Sequence, residues 1–484
     1  MKHAHGVAEV RAAEAAAMAG LPDGALMDRA ATGLATVCLG LLGRAYGARV
    51  VLLVGSGDNG GDALYAGARL AGRGVGVDAL LLNPERVHTA GLAALVRAGG
   101  RVTIDAAVLD RADLVVDGIV GIGGSGGLRP AAADLVARAA RGPGLMVAVD
   151  LPSGVDADSG EVRGPAVRAD VTVTFGTWKP ALLIDPGAGL AGATTCVDIG
   201  LGAHLPSPAM RSLQAADVAA RLPVPGRSDD KYRRGVLGVV AGSPTYLGAA
   251  VLAVGGALAA GAGMVRFVGA AEVAGAVRAR WPEVVVADGL PSAAGRVQAW
   301  VVGPGGGVDD AARAVLADVL GTDVPVLLDA DALSLLTQRG ELRRRAPTLL
   351  TPHAGELARL LGVERDAVQA QRLTHVRRAA AQYGATVLLK GSTTLIAGPA
   401  GEPVWVNGTG TGWLATAGSG DVLSGACGAL LAAGSVADEA GALGAYLHGL
   451  AARLAAGTGA PITAAGIIDL LPAAWRSVAP EKDQ

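Results

Sequence analysis

Four letters recur in this chain at two places where they could do chemistry. GSGD stands in VLLVGSGDNGGD (51–62) and again in ATAGSGDVLSG (415–425), each time ahead of a helix-like run. Around the first, Asn59, Asp117 and Ser153 fall at or just beyond the ends of strand-like runs and offer only oxygen atoms, the donors a hard cation uses. The loop Gly121-Ile122-Gly123-Gly124-Ser125-Gly126-Gly127 can turn several backbone N–H groups toward an anionic ligand. Asp150, at another strand end, is placed to act as a general acid or base. The alternative for Asp117 and Asp150 is turn capping, with glycines that merely turn corners.

Around the second GSGD, the loop NGTGTG (407–412) runs through WLATA to Gly418-Ser419-Gly420-Asp421 and then an apolar helix, VLSGACGALLAAG. Glycine turns and open helix N–H groups, at the positive end of the macrodipole, make a hole for phosphoryl oxygens. An aspartate beside such a hole can take the proton of an attacking hydroxyl. The alternative is a carboxylate that only stabilises the helix dipole, by about 0.3–1 kcal/mol.

Read literally, Gly55 to Gly60 is a GxGxxG, with Asp78 about 20 positions on as a ribose-binding acid. Asp58 and Asp62 argue against that dinucleotide reading. They set carboxylates where a pyrophosphate needs bare N–H groups, and Asp78 stands near the start of its strand. No segment matches GxxxxGK[ST], so a P-loop is not expected.

The elements that must position these residues follow from periodicity. Runs at 48–55, 76–83, 113–120, 144–151 and 170–176 read as buried strands separated by Ala-rich amphipathic stretches. That pattern builds a parallel sheet with helices on both faces, whose ligands sit beyond the carboxyl ends of the strands. The same layout is expected after residue 234, through 235–243, a long Ala/Gly helix, 299–307, 324–333, 347–356 and 385–398. Between the two, 202–234 has linker chemistry around one short helix, and the boundary is placed near residue 212.

At 484 residues, two domains are expected, 1–211 and 212–484. With 3% aromatics and 74 glycines, the cores must rest on Ala, Val and Leu with close backbone approach. A net charge of −2 provides no global footprint for nucleic acid or an anionic membrane. The uncharged run Gly248 to Val265 reads as a buried helix and not a membrane span. Glu9, Arg11 and Glu14 interrupt the apolar stretch that an export signal would need, and three scattered cysteines suit a reducing cytoplasm.

GSGDNGGDAL, VDGIVGIGGSGGLR, VDLPSGVDADSG and VTFGTWKPALL together resemble the YjeF N-terminal domain, NAD(P)H-hydrate epimerase, over nearly all of 1–210. The resemblance implies a Rossmann-like three-layer αβα sandwich. It also implies potassium on Asn59, Asp117 and Ser153, and hydrated nicotinamide nucleotide on Asp58, Asn59, Gly60, Gly61, Asp62, residues 121–127 and Asp150, with Asp150 assisting epimerisation. Asp58 departs from the usual Asn. Lys179 offsets ligand charge or is a solvated surface lysine.

GVLGVVAGSPTYLGAAVLA, VVGPGGG, LLDADAL, LLTPHAGELARLLG, VLLKGSTTLIAG and TAGSGDVLSG resemble the ribokinase-like superfamily, specifically its ADP/ATP-dependent NAD(P)H-hydrate dehydratase domain. This implies a ribokinase-like αβα domain in which Asp421 activates the substrate hydroxyl. Lys390, Gly391, Ser392, Thr393, Thr394 and Gly420 would bind the nucleotide, while Ala249, Gly305 and His353 line the hydrated-nicotinamide site. Glu356 helps place magnesium or serves a helix N-terminus. Gly306 and Ser419 depart from commoner residues without removing a functional group. The expected cofactors are potassium, magnesium and ADP or ATP as phosphoryl donor. The expected partners are hydrated NADH or NADPH and a further copy of the chain in a homo-oligomer. A kinase of a small alcohol or vitamin precursor, and a nucleotide sensor without turnover, are the competing readings.

Overall fold

The computed structural model describes residues 1–339, 342 and 344–479. Residues 480–484, the end of the expected second domain, lie outside the described residues. The chain divides into two compact units, His3–Met210 and the residues from Arg211 onward, the latter joined by Met1–Lys2. Within the second unit the N-terminal ammonium pairs with Asp217 at 2.7 Å.

The first unit is a seven-stranded parallel sheet of β1 (Arg49–Val54), β2 (Gly76–Leu81), β3 (Arg101–Val102), β4 (Leu114–Gly118), β5 (Leu145–Val149), β6 (Val171–Phe175) and β7 (Ala193–Val197). Their order is β3-β2-β1-β4-β5-β6-β7. Side chains alternate across a strand, so β1 feeds two cores. Val50, Leu52 and Val54 join the helices Ala25–Leu42 and Asp58–Ala71 on one face. Val51 and Leu53 join helix Pro130–Ala139 on the other. This is the three-layer sandwich that near-continuous Val/Leu runs imply. Helix Ala25–Leu42 is long and apolar enough to cross a membrane by length and composition. Its Leu26, Ala30, Ala31, Leu34, Ala35 and Cys38 are instead buried in the first of these cores.

In the second unit, β8 (Val236–Val240), β9 (Met264–Val268), β10 (Val285–Ala287), β11 (Ala299–Val302), β12 (Val326–Leu328), β13 (Thr348–Leu350) and β14 (Thr386–Leu389) run parallel. Next to β14 come β15 (Thr394–Ala397) and β16 (Val404–Asn407), both paired antiparallel. The order is β16-β15-β14-β13-β12-β11-β8-β9-β10. The run 385–398, expected as one strand, is thus a hairpin. Residues 390–393 turn the chain back, and the all-parallel expectation fails at this edge. The run expected as a buried helix is Leu247–Ala259, of 13 residues, followed by β9.

Two helices of this unit touch backbone to backbone, and this contact positions the second GSGD. A Cβ on Gly425 would fall 1.9 Å from Ala253 O, and one on Gly256 would fall 2.3 Å from Val422 O. Glycine at both positions lets helix Ser419–Ala432 lie directly on helix Leu247–Ala259. Replacing either by a larger residue would force the pair apart, moving the turn that carries Asp421.

Candidate functional site

In the first unit the chain leaves β1 toward β2 on one side and returns to β4 on the other. The crevice beyond their carboxyl ends is the switch point at which such sheets bind ligands. Gly55 N donates to Gly118 O at 3.0 Å, and a Cβ on Gly55 would lie 1.8 Å from Ile119 O. Only glycine allows the two strand ends to approach so closely. Helix Asp58–Ala71 starts at once, which places Asp58, Asn59, Gly60, Gly61 and Asp62 in and around its first turn.

The three proposed cation ligands stand on neighbouring loops of this edge. Asn59 is buried, with Nδ2 lacking any hydrogen-bond partner, and a Cβ on Gly121 would lie 2.8 Å from its Oδ1. Asp117 is fully buried; it accepts from Ser153 N at 2.9 Å, Ser153 Oγ at 2.7 Å and Ile119 N at 3.2 Å. Val120 N donates to Ser153 Oγ at 3.0 Å. Burial pushes the Asp117 carboxyl up to about 6, against the pull of the Ser153 and Ile119 hydrogen bonds. A buried carboxyl, an amide and a hydroxyl, all oxygen donors, suit a hard cation that would compensate this desolvation.

Asp150 holds a left-handed backbone, φ 64°, at the end of β5, and its N–H donates to Val173 O at 2.7 Å. Lys179, one of the two alternatives for which was a solvated surface lysine, is 1% exposed. Its Nζ donates to Asp150 Oδ1 at 2.6 Å, to Thr174 Oγ1 at 2.9 Å and to Phe175 O at 2.9 Å. Burial drives the Asp62 carboxyl well above its ordinary range, with the charges of Asp150, Asp58 and Glu14 adding and Lys179 opposing. Its Oδ1 is buried without a partner. Burial also raises Glu14.

A cavity of ≈ 750 Å³ opens here, lined among others by Glu14, Met27, Asp58, Asp62, Tyr65, His88 and Phe175. Neither Gly121–Gly127 nor Asp150 is in its lining. The glycine loop has a cation of its own, because Arg11 Nη2 would be 3.2 Å from a Cβ on Gly123. Sequence reasoning missed Glu14, Arg11, Tyr65, His88, Phe175 and the partnership of Lys179. Lys179 stood in the quoted WKPALL, where a lysine set among apolar residues was the available signal. Asp78, the third residue of β2, is held by Arg101, at 3.0 and 3.1 Å, a second reason it does not serve as a ribose-binding acid.

In the second unit, Gly418 adopts φ 86° and starts helix Ser419–Ala432 without any side-chain cap; the Ser419 N–H donates to Thr416 O at 3.4 Å and those of Gly420 and Asp421 stay open. Asp421 lies in this first turn. Burial, then Asp329, raises its carboxyl to about 7; Lys390 opposes, and Asp331 and Glu356 add. Lys390 Nζ sits 2.8 Å from Asp329 Oδ1, 3.8 Å from Glu356 Oε2 and 3.4 Å from where a Cβ on Gly420 would be. Burial works to lower the Lys390 ammonium, but Asp329 and Glu356 outweigh it and hold it above its ordinary value. Ser424 Oγ donates to the other oxygen of Asp329 at 2.7 Å. Asp329 is 1% exposed and had been quoted only as part of LLDADAL.

The remaining expected residues gather around this centre. His353 caps helix Ala354–Leu361: its Nδ1 accepts from Gly355 N and Glu356 N at 3.0 and 3.2 Å, while its backbone N–H donates to Glu356 Oε2 at 2.8 Å. Burial lowers its imidazole below the ordinary histidine value, against the pull of Glu356. Glu356 therefore fills the helix N-terminal role and also faces Lys390. A Cβ on Gly305 would lie 2.9 Å from Ala249 Cβ, and Gly307 N donates to Asp331 Oδ2 at 2.9 Å, which ties that loop to the acids around Asp421. Gly391 packs on Arg372, whose Nη2 donates to Thr393 O at 2.9 Å. Ser392 O would be 3.0 Å from a Cβ on Gly410, and Thr394 opens β15. The hairpin turn and the NGTGTG loop thus abut. His448, fully buried and with its Nε2 unpartnered, was also missed; burial lowers it to about 4.

Residues 23–181 match the family model described as YjeF-related protein N-terminus, and residues 237–472 match the one described as NAD(P)H-hydrate dehydratase. A bifunctional NAD(P)H-hydrate repair enzyme, Nnr, of Mycobacterium leprae is 53% identical over 467 residues, covering 95% of this chain and 96% of its own. That of Mycobacterium tuberculosis is 52% identical, with 91% and 92% covered. The crystal structure of an ADP/ATP-dependent NAD(P)H-hydrate dehydratase from Bacillus subtilis, co-crystallised with ATP/Mg2+, covers 55% of this chain and 97% of its own, with 31% identity and a TM-score of 0.52. With both family models matched in order and relatives aligned over nearly the whole length, the chain belongs to the family of bifunctional NAD(P)H-hydrate repair enzymes.

Proposed function

We propose that His3–Met210 interconverts the R and S epimers of hydrated NADH or NADPH, and that the second unit dehydrates the S epimer at the expense of ADP or ATP. The observation that carries the second half is Asp421, in the open first turn of a helix with its carboxyl raised to about 7. A base poised near the working pH combines a useful ionised fraction with proton affinity. Asp421 takes the proton of the ring hydroxyl as its oxygen attacks the terminal phosphoryl group. The N–H group of Gly420, with Lys390, faces the phosphoryl oxygens. The ring nitrogen lone pair then expels phosphate from the adjoining carbon, and the next ring carbon releases a proton to restore the reduced nicotinamide. Phosphate leaves far more readily than hydroxide, which is what the nucleotide supplies. Magnesium, when bound with the nucleotide, neutralises phosphoryl charge.

In the first unit, Asp150 moves the hydroxyl proton while the bond between that carbon and the ring nitrogen opens and recloses on the other face. The nitrogen takes up a proton on opening and returns it on closing. Asp58, Asn59, Gly60, Gly61 and Asp62 and the loop Gly121–Gly127 hold the nucleotide. Asn59, Asp117 and Ser153 are the residues for potassium, which would supply positive charge beside the substrate phosphates. The thiols of Cys38 and Cys427, pushed up to about 12 by burial, stay protonated in the cytoplasm expected for this protein.

The test mixes the protein with an R/S mixture of hydrated NADH, potassium, magnesium and either ADP or ATP, and follows the reduced-nicotinamide absorbance. Full recovery is expected with the correct donor. Recovery that stops at the S fraction would refute the epimerase half. A stable phosphorylated alcohol with no recovery would replace the dehydratase by a kinase.

A further inference from the structure

Asp150 is the one aspartate of the first site whose carboxylate is saturated on one side only. Its Oδ1 accepts from Lys179 Nζ at 2.6 Å, Thr174 Oγ1 at 3.0 Å and Phe175 N at 3.4 Å. Among the described residues, its hydrogen bonds all fall on Oδ1 and none on Oδ2. Lys179 spends its N–H groups on Asp150, Thr174 Oγ1 and Phe175 O, and is 1% exposed, so it has neither a proton to lend nor access to substrate. Thr174 Oγ1 accepts from Lys179 and donates to Asp150, locking the two together. Asp150 holds φ 64°, a conformation uncommon for a residue with a Cβ, which costs energy and persists only where surrounding contacts enforce it.

The acids that bear on this centre are Glu14, from helix Val7–Met18, and Asp58 and Asp62, from helix Asp58–Ala71. Lys179 is the cation that opposes them in their shifts, together with Arg11 at Glu14.

We infer that Lys179, together with Thr174, is the positioning residue of epimerisation, holding Asp150 through Oδ1 so that Oδ2 is left for the substrate. This rests on the epimerase reading of the first unit. A lysine that merely filled the core would satisfy itself on backbone carbonyls; this one is bonded to the proton-moving group. Its loss should therefore change the rate and its pH dependence more than substrate affinity.

Epimer ratios are followed directly by NMR from pure R substrate, across pH 5–9, with dehydration of pure S substrate by the same preparation as a control. Lys179→Met is expected to lower kcat for epimerisation about 100-fold, within the range of acid–base contributions. KM should change less than about threefold, and the acid limb of the profile should move to higher pH, because a carboxylate without its cation protonates more easily. Thr174→Val, which cuts the hydroxyl link but keeps the charge, should give a loss of about tenfold in the same direction. Lys179→Arg should recover part of the activity of the Met variant. Should Lys179→Met not fold, as shown by lost circular dichroism, Thr174→Val decides. An unchanged rate and profile in Thr174→Val, or a loss in Lys179→Met that is the same at every pH and confined to KM, would overturn the proposal. Wild-type protein that leaves pure R substrate unchanged would instead remove the epimerase reading itself.

Discussion

Both units set a lysine against a buried aspartate at the end of a parallel strand, yet they give the pair different work. In the first, Lys179 bonds Asp150, the residue proposed to move the proton. In the second, Lys390 bonds Asp329, and Asp421 stands beyond the pair with its carboxyl raised to about 7 by burial and Asp329. The same two residue types thus make a fixed, one-sided carboxylate in one place and leave a base poised near neutrality in the other. Reversible opening and closing of a ring must run both ways, which a carboxylate held in place through one oxygen serves. Attack by a hydroxyl on a phosphoryl group needs a base with enough affinity to take the proton as the bond forms.

The sharpest way to break this comparison is to remove the two bases separately. Asp421→Ala is expected to lower dehydration of pure S substrate by 10³-fold or more, on the order of the largest acid–base contributions, with epimerisation unchanged. Near-normal dehydration in that variant would leave Asp421 as a helix-dipole carboxylate. Asp150→Asn should slow R-to-S equilibration about 100-fold while repair of pure S substrate continues at the wild-type rate. Equal loss of both activities would mean that the two sites do not work independently.

A smaller effect sharpens the difference in poise. The Asp421 carboxyl must be ionised to accept a proton, so kcat/KM for dehydration should rise with pH up to about 7 and level off above it. Lys390 opposes the raised value, so Lys390→Met should move that limb to still higher pH, in addition to whatever it does to nucleotide affinity. A flat profile from pH 5 to 8 in wild type would assign the proton to another group.

How much of this was legible in the sequence depended on the kind of contact. The strand ends and glycine turns around Asn59, Asp117, Asp150 and Asp421 were readable because buried strands and helix starts leave local patterns of apolar runs and Gly. The partners were not. Asp150 reaches Lys179 because β5 and β6 lie side by side in register, and Asp329 reaches Lys390 because β12 and β14 flank β13. Such distances are set by sheet order, to which a sequence separation of 29 or 61 gives no clue. Glu14 was equally hidden. In an Ala-rich helix an isolated acid reads as a solvated face, and only its packing against the site shows it half-buried with a raised carboxyl. The hairpin at 390–393 was hidden for another reason: VLLKGSTTLIAG has apolar runs on both sides of a short polar break that strand periodicity spans without a signal.

The mildest test of the comparison reads stability instead of rate. Asp421 in the folded chain holds its proton up to about 7, whereas an unfolded aspartate loses it near 3.8. Between those values the folded state binds more protons than the unfolded one, so this group lowers stability progressively as pH rises through the window, and the full cost is present above it. Asp421→Asn removes the charge while keeping the shape. The variant should melt a few degrees higher than wild type at pH 8, since about 1 kcal/mol corresponds to roughly 2–4 °C in a unit of this size. The two should melt nearly together at pH 4, close to the unfolded value, where Asp421 is protonated in the folded state and little of the cost has appeared. Asp150→Asn should behave in the opposite way at pH 8, melting lower, because it strips Lys179 of its carboxylate and leaves a buried ammonium without its charge partner. Opposite signs for two Asp→Asn changes, measured by calorimetry on the same chain, would separate a charge held for its reactivity from one held by its ion pair; equal signs would mean that the two aspartates share one electrostatic role.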